Sequence, residues 1–342
     1  MATTADSSPD TVQVRGVYFD ELEIGQTFDD VPAVTLTDGM QATHSAIVGN
    51  RLRIARDAVL AERVTGARSA IASPALVWDT AIGQSTVVTQ HVRANLFYRG
   101  LRFRRVPEIG DTLSTVTRVE GLKQNSIKPG RPLTGLAALH ITTTDQHDRV
   151  VLDFWRCAML PCSPGSEGTD RADDLSALGR PIVDADLTEA VADWDLAAFR
   201  DRVPGPHLEQ LSRDRAWQIE GADVVTSAPE LARLTGNLAT VHHDAAAAGG
   251  DRLVYGGHTI GIAFHQVCRA IPALVTVLAW DGCDHVGPVH EGDTLRSTIT
   301  VQRSWELPGS GGIALLRVLV KATRADGSVA PVLDWSLYAL LA

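Results

Sequence analysis

Apolar positions along this chain fall into two recurring patterns. In one they alternate with polar residues or run together over a few positions, as in Thr115-Val116-Thr117-Arg118-Val119, residues 136–143 and residues 315–321. Side chains of a strand point to opposite faces in turn, so this spacing predicts β-strands with at least one buried face. In the other, Ile260, Ala263, Phe264, Val267, Cys268 and Ile271 recur too densely for a narrow surface stripe, which predicts a largely buried helix over 259–271. A counterpart opens at Ser73-Pro74, an N-cap followed by proline at the first helical position, and carries Trp78 and Ile82. Asp326-Gly327 and residues 309–312 read as hairpin turns between paired strands. One buried helix followed by several antiparallel strands describes a sheet wrapped around a helix.

The pattern occurs twice. Gly110-Asp111-Thr112-Leu113 precedes one strand-like run, and a later run holds Leu152-Asp153-Phe154; Gly292-Asp293-Thr294-Leu295 and Leu333-Asp334-Trp335 repeat both landmarks at nearly equal separation. Upstream, Gly49-Asn50 is followed by Asp57, and Gly236-Asn237 by Asp244 at the same spacing. The unit is longer than a solenoid repeat, so the chain reads as a duplicated domain. Its expected parts are a disordered lead over 1–16, a first copy over 17–162, a linker with one or two short helices over 163–206, and a second copy over 207–342.

Composition narrows the class. The 342 residues are 44% hydrophobic and 21% charged, which is ordinary for a globular protein. A net charge of -10 argues against nucleic acid as a partner, because phosphate binding needs a basic field. Arg99, Arg102, Arg104 and Arg105 make a local exception, read either as a contact for a phosphorylated ligand or as a solvated strand face. Cys157, Cys162, Cys268 and Cys283 show no metal-ligand spacing, and no metal is expected. The polar, acidic start has no signal-peptide pattern and no apolar run reaches the length of a bilayer span, so no membrane partner is expected and the cytoplasm is the expected location.

Chemistry concentrates in the second copy. Asn237 and His242 stand five apart in a turn-like segment, and Gly256-Gly257 open the apolar helix. These supply a water-holding amide, a base near neutral pH and backbone N–H groups at a helix N-terminus, the requirements for adding water to an activated double bond. Asp244 is expected as a helix-terminal charge or a hydrogen-bond partner, and His243 is expected to face away. His258 and His285 read either as ligand contacts or as ordinary packing. Trp78, Trp155, Trp280 and Trp335 are expected in the core.

Together these residues resemble the MaoC-like, double-hotdog family of (R)-specific enoyl-CoA hydratases, in particular its mesaconyl-CoA hydratase (methylmalyl-CoA dehydratase) branch. The resemblance runs from about residue 17, omitting the linker, with the stretch from Tyr18 to Thr27 similar to that family's entry strand and turn. Residues 110–116 with 121–126, and Leu253-Val254-Tyr255-Gly256-Gly257-His258, are the more specific strings. The resemblance implies an α+β double hotdog, with two tandem antiparallel sheets each wrapped around a central helix. It places the family's catalytic histidine on His242 and its aspartate on Asn237, an amide that orients water without accepting a proton. In the first copy Ala55 stands where the histidine belongs, which implies a non-catalytic copy that shapes the substrate channel. Gly256, Gly257, His258 and Asp244 are the expected substrate-binding positions. The implied activity is reversible hydration of a 2-enoyl-CoA, with coenzyme A as part of the substrate and no other cofactor. The acyl group is expected to be short, branched or dicarboxylic, with Arg51, Arg53 and Arg56 as candidate anion contacts, or else a longer fatty chain. A homodimer is expected. A thioesterase using Asp79 or Asp244, and a non-catalytic acyl-CoA-binding protein, are the alternatives.

Overall fold

The computed structural model describes residues 11–342, apart from 180 and 309. Most of the expected lead, and Gly309 of the second hairpin turn, therefore lie outside the described residues. The first copy contains β1 (Thr27–Phe28), β2 (Val34–Thr35), α1 (Asp38–Val48), α2 (Ala58–Thr65), α3 (Pro74–Gln84), β3 (Ala94–Phe103), β4 (Thr112–Gln124), β5 (Thr134–Thr144) and β6 (Val150–Pro161). After α4 (Leu196–Arg200), the second copy repeats the order with β7 (Ala216–Gln218), β8 (Asp223–Val224), α5 (Ala228–Leu234), α6 (Gly256–Ala270), β9 (Leu274–His285), β10 (Thr294–Glu306), β11 (Gly312–Thr323) and β12 (Val329–Leu341).

All the pairings are antiparallel, and the long strands form one continuous sheet in the order β4-β5-β6-β3-β9-β12-β11-β10. The two copies join where β3 meets β9, with Tyr98 opposite Cys283 and Leu101 opposite Trp280. Antiparallel neighbours explain the short connections: Gly327, at φ +82°, turns β11 into β12.

The two long apolar helices, α3 and α6, pack against each other and against the sheet. At their contact Trp78 meets Phe264, Trp280 and Trp335 edge-on, with ring centroids 5.4, 5.0 and 6.0 Å away. Edge-to-face packing places the positive ring edge over a negative face. The core is accordingly one cluster shared by both copies. Trp155 lies elsewhere, stacked on His140 at 4.2 Å.

Residues 163–206 run across the sheet. Leu175 packs on Ala138 and Cys157, and Asp184, Asp186 and Glu189 reach Arg303, Arg102 and Arg104. Within the arginine cluster Arg105 is exposed, but Arg99 pairs with Asp284 at 2.6 Å, Arg102 with Asp186 at 2.5 Å, and Arg104 with Asp153 and Glu189 at 3.1 Å. Those charges are met by this chain's own carboxylates. The expected entry strand is also shorter than anticipated. Phe19–Glu21 forms a 3₁₀ turn that buries Phe19 against Gly135, and strand pairing starts only at Thr27.

In each copy the end of a shorter helix, α1 or α5, is seated on the other copy's central helix. A Cβ added at Gly83 of α3 would overlap the Thr235 carbonyl oxygen, and one at Gly261 of α6 would lie 2.9 Å from Val48 Cβ. Gly83→Ala is therefore expected to destabilise the protein by about 2 kcal/mol, overpacking outweighing the helix propensity of alanine. A urea denaturation series measures it, and a shift towards greater stability would contradict this seating.

Candidate active site

The segment holding Asn237 and His242 is built by local chain chemistry. Pro229 lies in the first turn of α5, and Gly236, at φ +69°, lets the chain leave the helix while Asn237 N–H bonds the Ala232 carbonyl at 2.8 Å. Asn237 Oδ1 then accepts from Ala239 N–H at 2.9 Å, an Asx turn. A 3₁₀ turn at Thr240–His242 follows. Two bonds tie the segment to the first copy: Leu238 N–H to Thr86 Oγ1 at 2.8 Å and Thr240 N–H to the Gln90 carbonyl at 2.9 Å.

These contacts fix the polarity of both side chains. With Oδ1 occupied, Asn237 presents its NH₂ group, a donor. His242 Nδ1–H donates to the Leu253 carbonyl at 2.6 Å, so Nε2 is left as an acceptor. Both residues line a cavity of about 560 Å³ between the two copies, bounded on the first-copy side by Ile82, Thr86, Asn95, Tyr98 and Arg156. Burial pulls the His242 pKa down to about 4, outweighing the Leu253 bond that raises it, with His243 and Arg156 lowering it further. The imidazole is neutral at neutral pH.

Not every expected site residue reaches this cavity. Gly256 lines it, with His285 Nε2 2.6 Å from where a Gly256 Cβ would stand. Gly257 does not, because its open side faces Asp79 Oδ1 and the Tyr255 ring. His258 is also off the wall, fully buried with neither ring nitrogen hydrogen-bonded, and burial lowers its pKa to about 4. Asp244 is exposed and accepts from Ala246 N–H at 2.8 Å, a turn cap away from the cavity. His243 holds the Asn237 carbonyl at 2.7 Å from the exposed side. His285 lines the cavity, its Nε2 buried without a partner and its pKa lowered to about 4 by burial.

Asp79 lies behind the wall. Its Oδ2 is 2.8 Å from His44 Nε2, its Oδ1 accepts from the Tyr255 hydroxyl at 3.3 Å, and burial raises its pKa against the pull of His44. Among the described residues the carboxylate on the cavity wall is Asp251, which is exposed. Sequence reasoning passed over Tyr255, Asn95 and Arg156. Arg156 had a signal: it falls in phase with Leu152, Phe154, Ala158 and Leu160, all buried in the core.

The first copy keeps half of this arrangement. Asn50 Oδ1 accepts from Leu52 N–H at 3.0 Å, the same Asx turn, but buried Ala55 offers no base. A separate pocket of about 700 Å³ there is lined by Arg51, Arg53, Arg56, Arg202 and Arg269, so the three arginines considered for substrate lie outside the His242 cavity.

Comparisons with known proteins agree with the duplicated architecture. No protein-family model matches the chain. A conserved hypothetical protein from Mycobacterium tuberculosis, described as having a double hotdog fold, is 52% identical, covers 96% of this chain and 99% of its own, and superposes with a TM-score of 0.88. The chain belongs to the same double-hotdog family. Two curated enzymes are similar over nearly their whole length. Beta-methylmalyl-CoA dehydratase from Chloroflexus aurantiacus is 28% identical over 90% of this chain and 88% of its own. Mesaconyl-CoA hydratase from Cereibacter sphaeroides is 27% identical over 95% of this chain and 98% of its own.

Proposed function

We propose that this protein reversibly hydrates a 2-enoyl-CoA thioester to a 3-hydroxyacyl-CoA, with Asn237 and His242 handling the water. The observation that carries the reading is the fixed, opposite polarity of two side chains on one cavity: an amide that donates and an imidazole nitrogen that accepts. A water between them is held through its oxygen by Asn237 and gives a hydrogen to His242 Nε2. As the oxygen bonds to C3, that proton passes to Nε2, and the π electrons of the double bond move towards the thioester carbonyl. The imidazolium then returns a proton to C2. Burial disfavours the imidazolium, so it is a strong acid for this second step. The charge building on the thioester oxygen is favoured by the dipole at the N-terminus of α6, where Gly256 forms the wall. Relatives that act on mesaconyl-CoA and β-methylmalyl-CoA support the thioester class.

The test is loss of enoyl-thioester absorbance with purified protein, and its reappearance from the 3-hydroxyacyl-CoA. No change in either direction across crotonyl-, 2-methylcrotonyl- and mesaconyl-CoA would count against the assignment. The pH profile is a second check. With a His242 pKa of about 4 the base is ready throughout the neutral range. kcat/KM is therefore expected to stay flat between about pH 6 and 8 and to fall only below about pH 5; an inflection near the ordinary histidine pKa would contradict the buried imidazole. A cytoplasmic homodimer belongs to the same proposal, and sedimentation at micromolar concentration measures the pairing. Among the described residues no helix is long and apolar enough to cross a membrane.

A further inference from the structure

The first-copy side of the cavity carries a positive charge that forms no salt bridge among the described residues. Arg156 of β6 is 3% exposed and lies on the inward face of the sheet. Its Nη2 donates to the Ser85 carbonyl at 3.0 Å and to Thr89 Oγ1 at 2.8 Å, both uncharged, and its Nε is buried without a partner. Among the described residues no carboxylate pairs with it. A guanidinium does not escape by losing its proton, and an unpaired charge out of water is costly. Such a group is stabilised by an anion arriving through the cavity.

A second unsatisfied group stands nearby on the same face. Asn95 of β3 pairs in register with Ala158, two residues along β6 from Arg156, and it lines the same cavity. Both the oxygen and the nitrogen of its amide are buried with no hydrogen-bond partner. The titratable groups that act on the charge of Arg156 are Tyr98, Tyr255 and Cys157. Two donors, one charged and one neutral, thus line the same cavity, together with apolar Ile82, Val92 and Val241. That is the donor set of a carboxylate site, since a guanidinium and an amide NH₂ together satisfy both oxygens.

We propose that Arg156 and Asn95 bind a carboxylate carried by the acyl group and so select dicarboxylic 2-enoyl thioesters over simple ones. The identity of the thioester rests on the hydratase reading; the carboxylate subsite does not. The charge of Arg156 is felt at His242. A methyl group in place of the carboxylate leaves both donors unpaired, and a site built for hydrogen bonds rejects such an analogue strongly.

Binding separates the subsite from the reaction. Calorimetry with succinyl-CoA and butyryl-CoA, which differ by a carboxylate for a methyl and contain no double bond to hydrate, is run on wild type, Arg156→Gln and Arg156→Lys. Wild type is expected to bind succinyl-CoA at least ~100-fold more tightly, with Arg156→Gln erasing the preference and Arg156→Lys keeping part of it. Equal affinities in wild type overturn the proposal. So does an equal loss for both ligands in Arg156→Gln, which would mark Arg156 as structural support for Ser85 and Thr89. If the glutamine variant does not fold, Asn95→Asp puts an anion beside Arg156 at nearly unchanged volume. It is expected to weaken succinyl-CoA ~30-fold and butyryl-CoA little, by like-charge repulsion and the loss of a donor; unchanged succinyl-CoA binding overturns the proposal. A carboxylate preference in a protein that hydrates neither mesaconyl- nor 2-methylcrotonyl-CoA would remove the hydratase reading and leave the subsite standing.

Discussion

Replacing His242 with alanine is expected to lower the hydration rate about 10³-fold while leaving thioester binding within a factor of about three, the size expected of a lost general base. Several of the other candidate bases are committed elsewhere. Asn237 has its oxygen committed to Ala239 and offers only a donor, Asp79 lies behind the wall with His44 and Tyr255, and Asp244 caps a surface turn. His285 and His290 are the other imidazoles on the cavity and exposed Asp251 is its carboxylate, so double variants with His285→Gln, His290→Gln or Asp251→Asn show whether one of them carries the residual rate. Steady-state kinetics with direct binding of the thioester separates the effects. A variant that keeps more than about a tenth of the wild-type kcat would move the proton transfer to another group.

Acidification from pH 7 to 5 is expected to destabilise the folded protein. His242, His258 and His285 are each held near 4 by burial, against about 6.5 in an unfolded chain. Between those values the unfolded chain takes up protons that the folded one refuses, so stability is full above about pH 6.5 and is lost as pH falls. From pH 7 to 5 each histidine costs about 2 kcal/mol. Asp79, whose pKa is raised, works in the opposite direction and trims the total. Urea midpoints at several pH values measure the slope, and His258→Asn, away from the cavity, is expected to make it shallower. A midpoint constant from pH 7 to 5 would mean that these rings are already paired or solvated.

The duplication and the hairpins were legible because periodicity is a local property. Gly110-Asp111-Thr112-Leu113 and its repeat sit where β4 and β10 begin, and residues 115–119, 136–143 and 315–321 fall inside β4, β5 and β11. The start of α6 was legible from its glycine pair and not from periodicity. Apolar spacing begins at Ile260, whereas the helix opens at Gly256, whose role is a close approach to His285 and not burial of a side chain. α1 was passed over because only His44 and Val48 of its residues are buried, too sparse a stripe to register. The β3–β9 seam depends on two edges some 170 residues apart, which no local pattern encodes. At the site, Asn237 and His242 announced themselves through spacing. Which hydrogen-bonding group each one presents followed only from Ala239 and Leu253. Arg156 needed both its strand phase and the knowledge that β6 faces the cavity.

The joining of two copies in one chain changes how the cavity depends on dilution and on mutation. Its walls come from both copies, tied by Leu238 to Thr86 and by Thr240 to Gln90. Separate single copies would have to meet in solution to complete it, and activity per molecule would fade at low concentration. Tethering makes that meeting intramolecular, with an effective concentration set by the connection and not by the cell. A pair of identical subunits also carries every substitution twice. Here Ala55 and His242 occupy matching places in one molecule, so one half is free to change while the other keeps its imidazole.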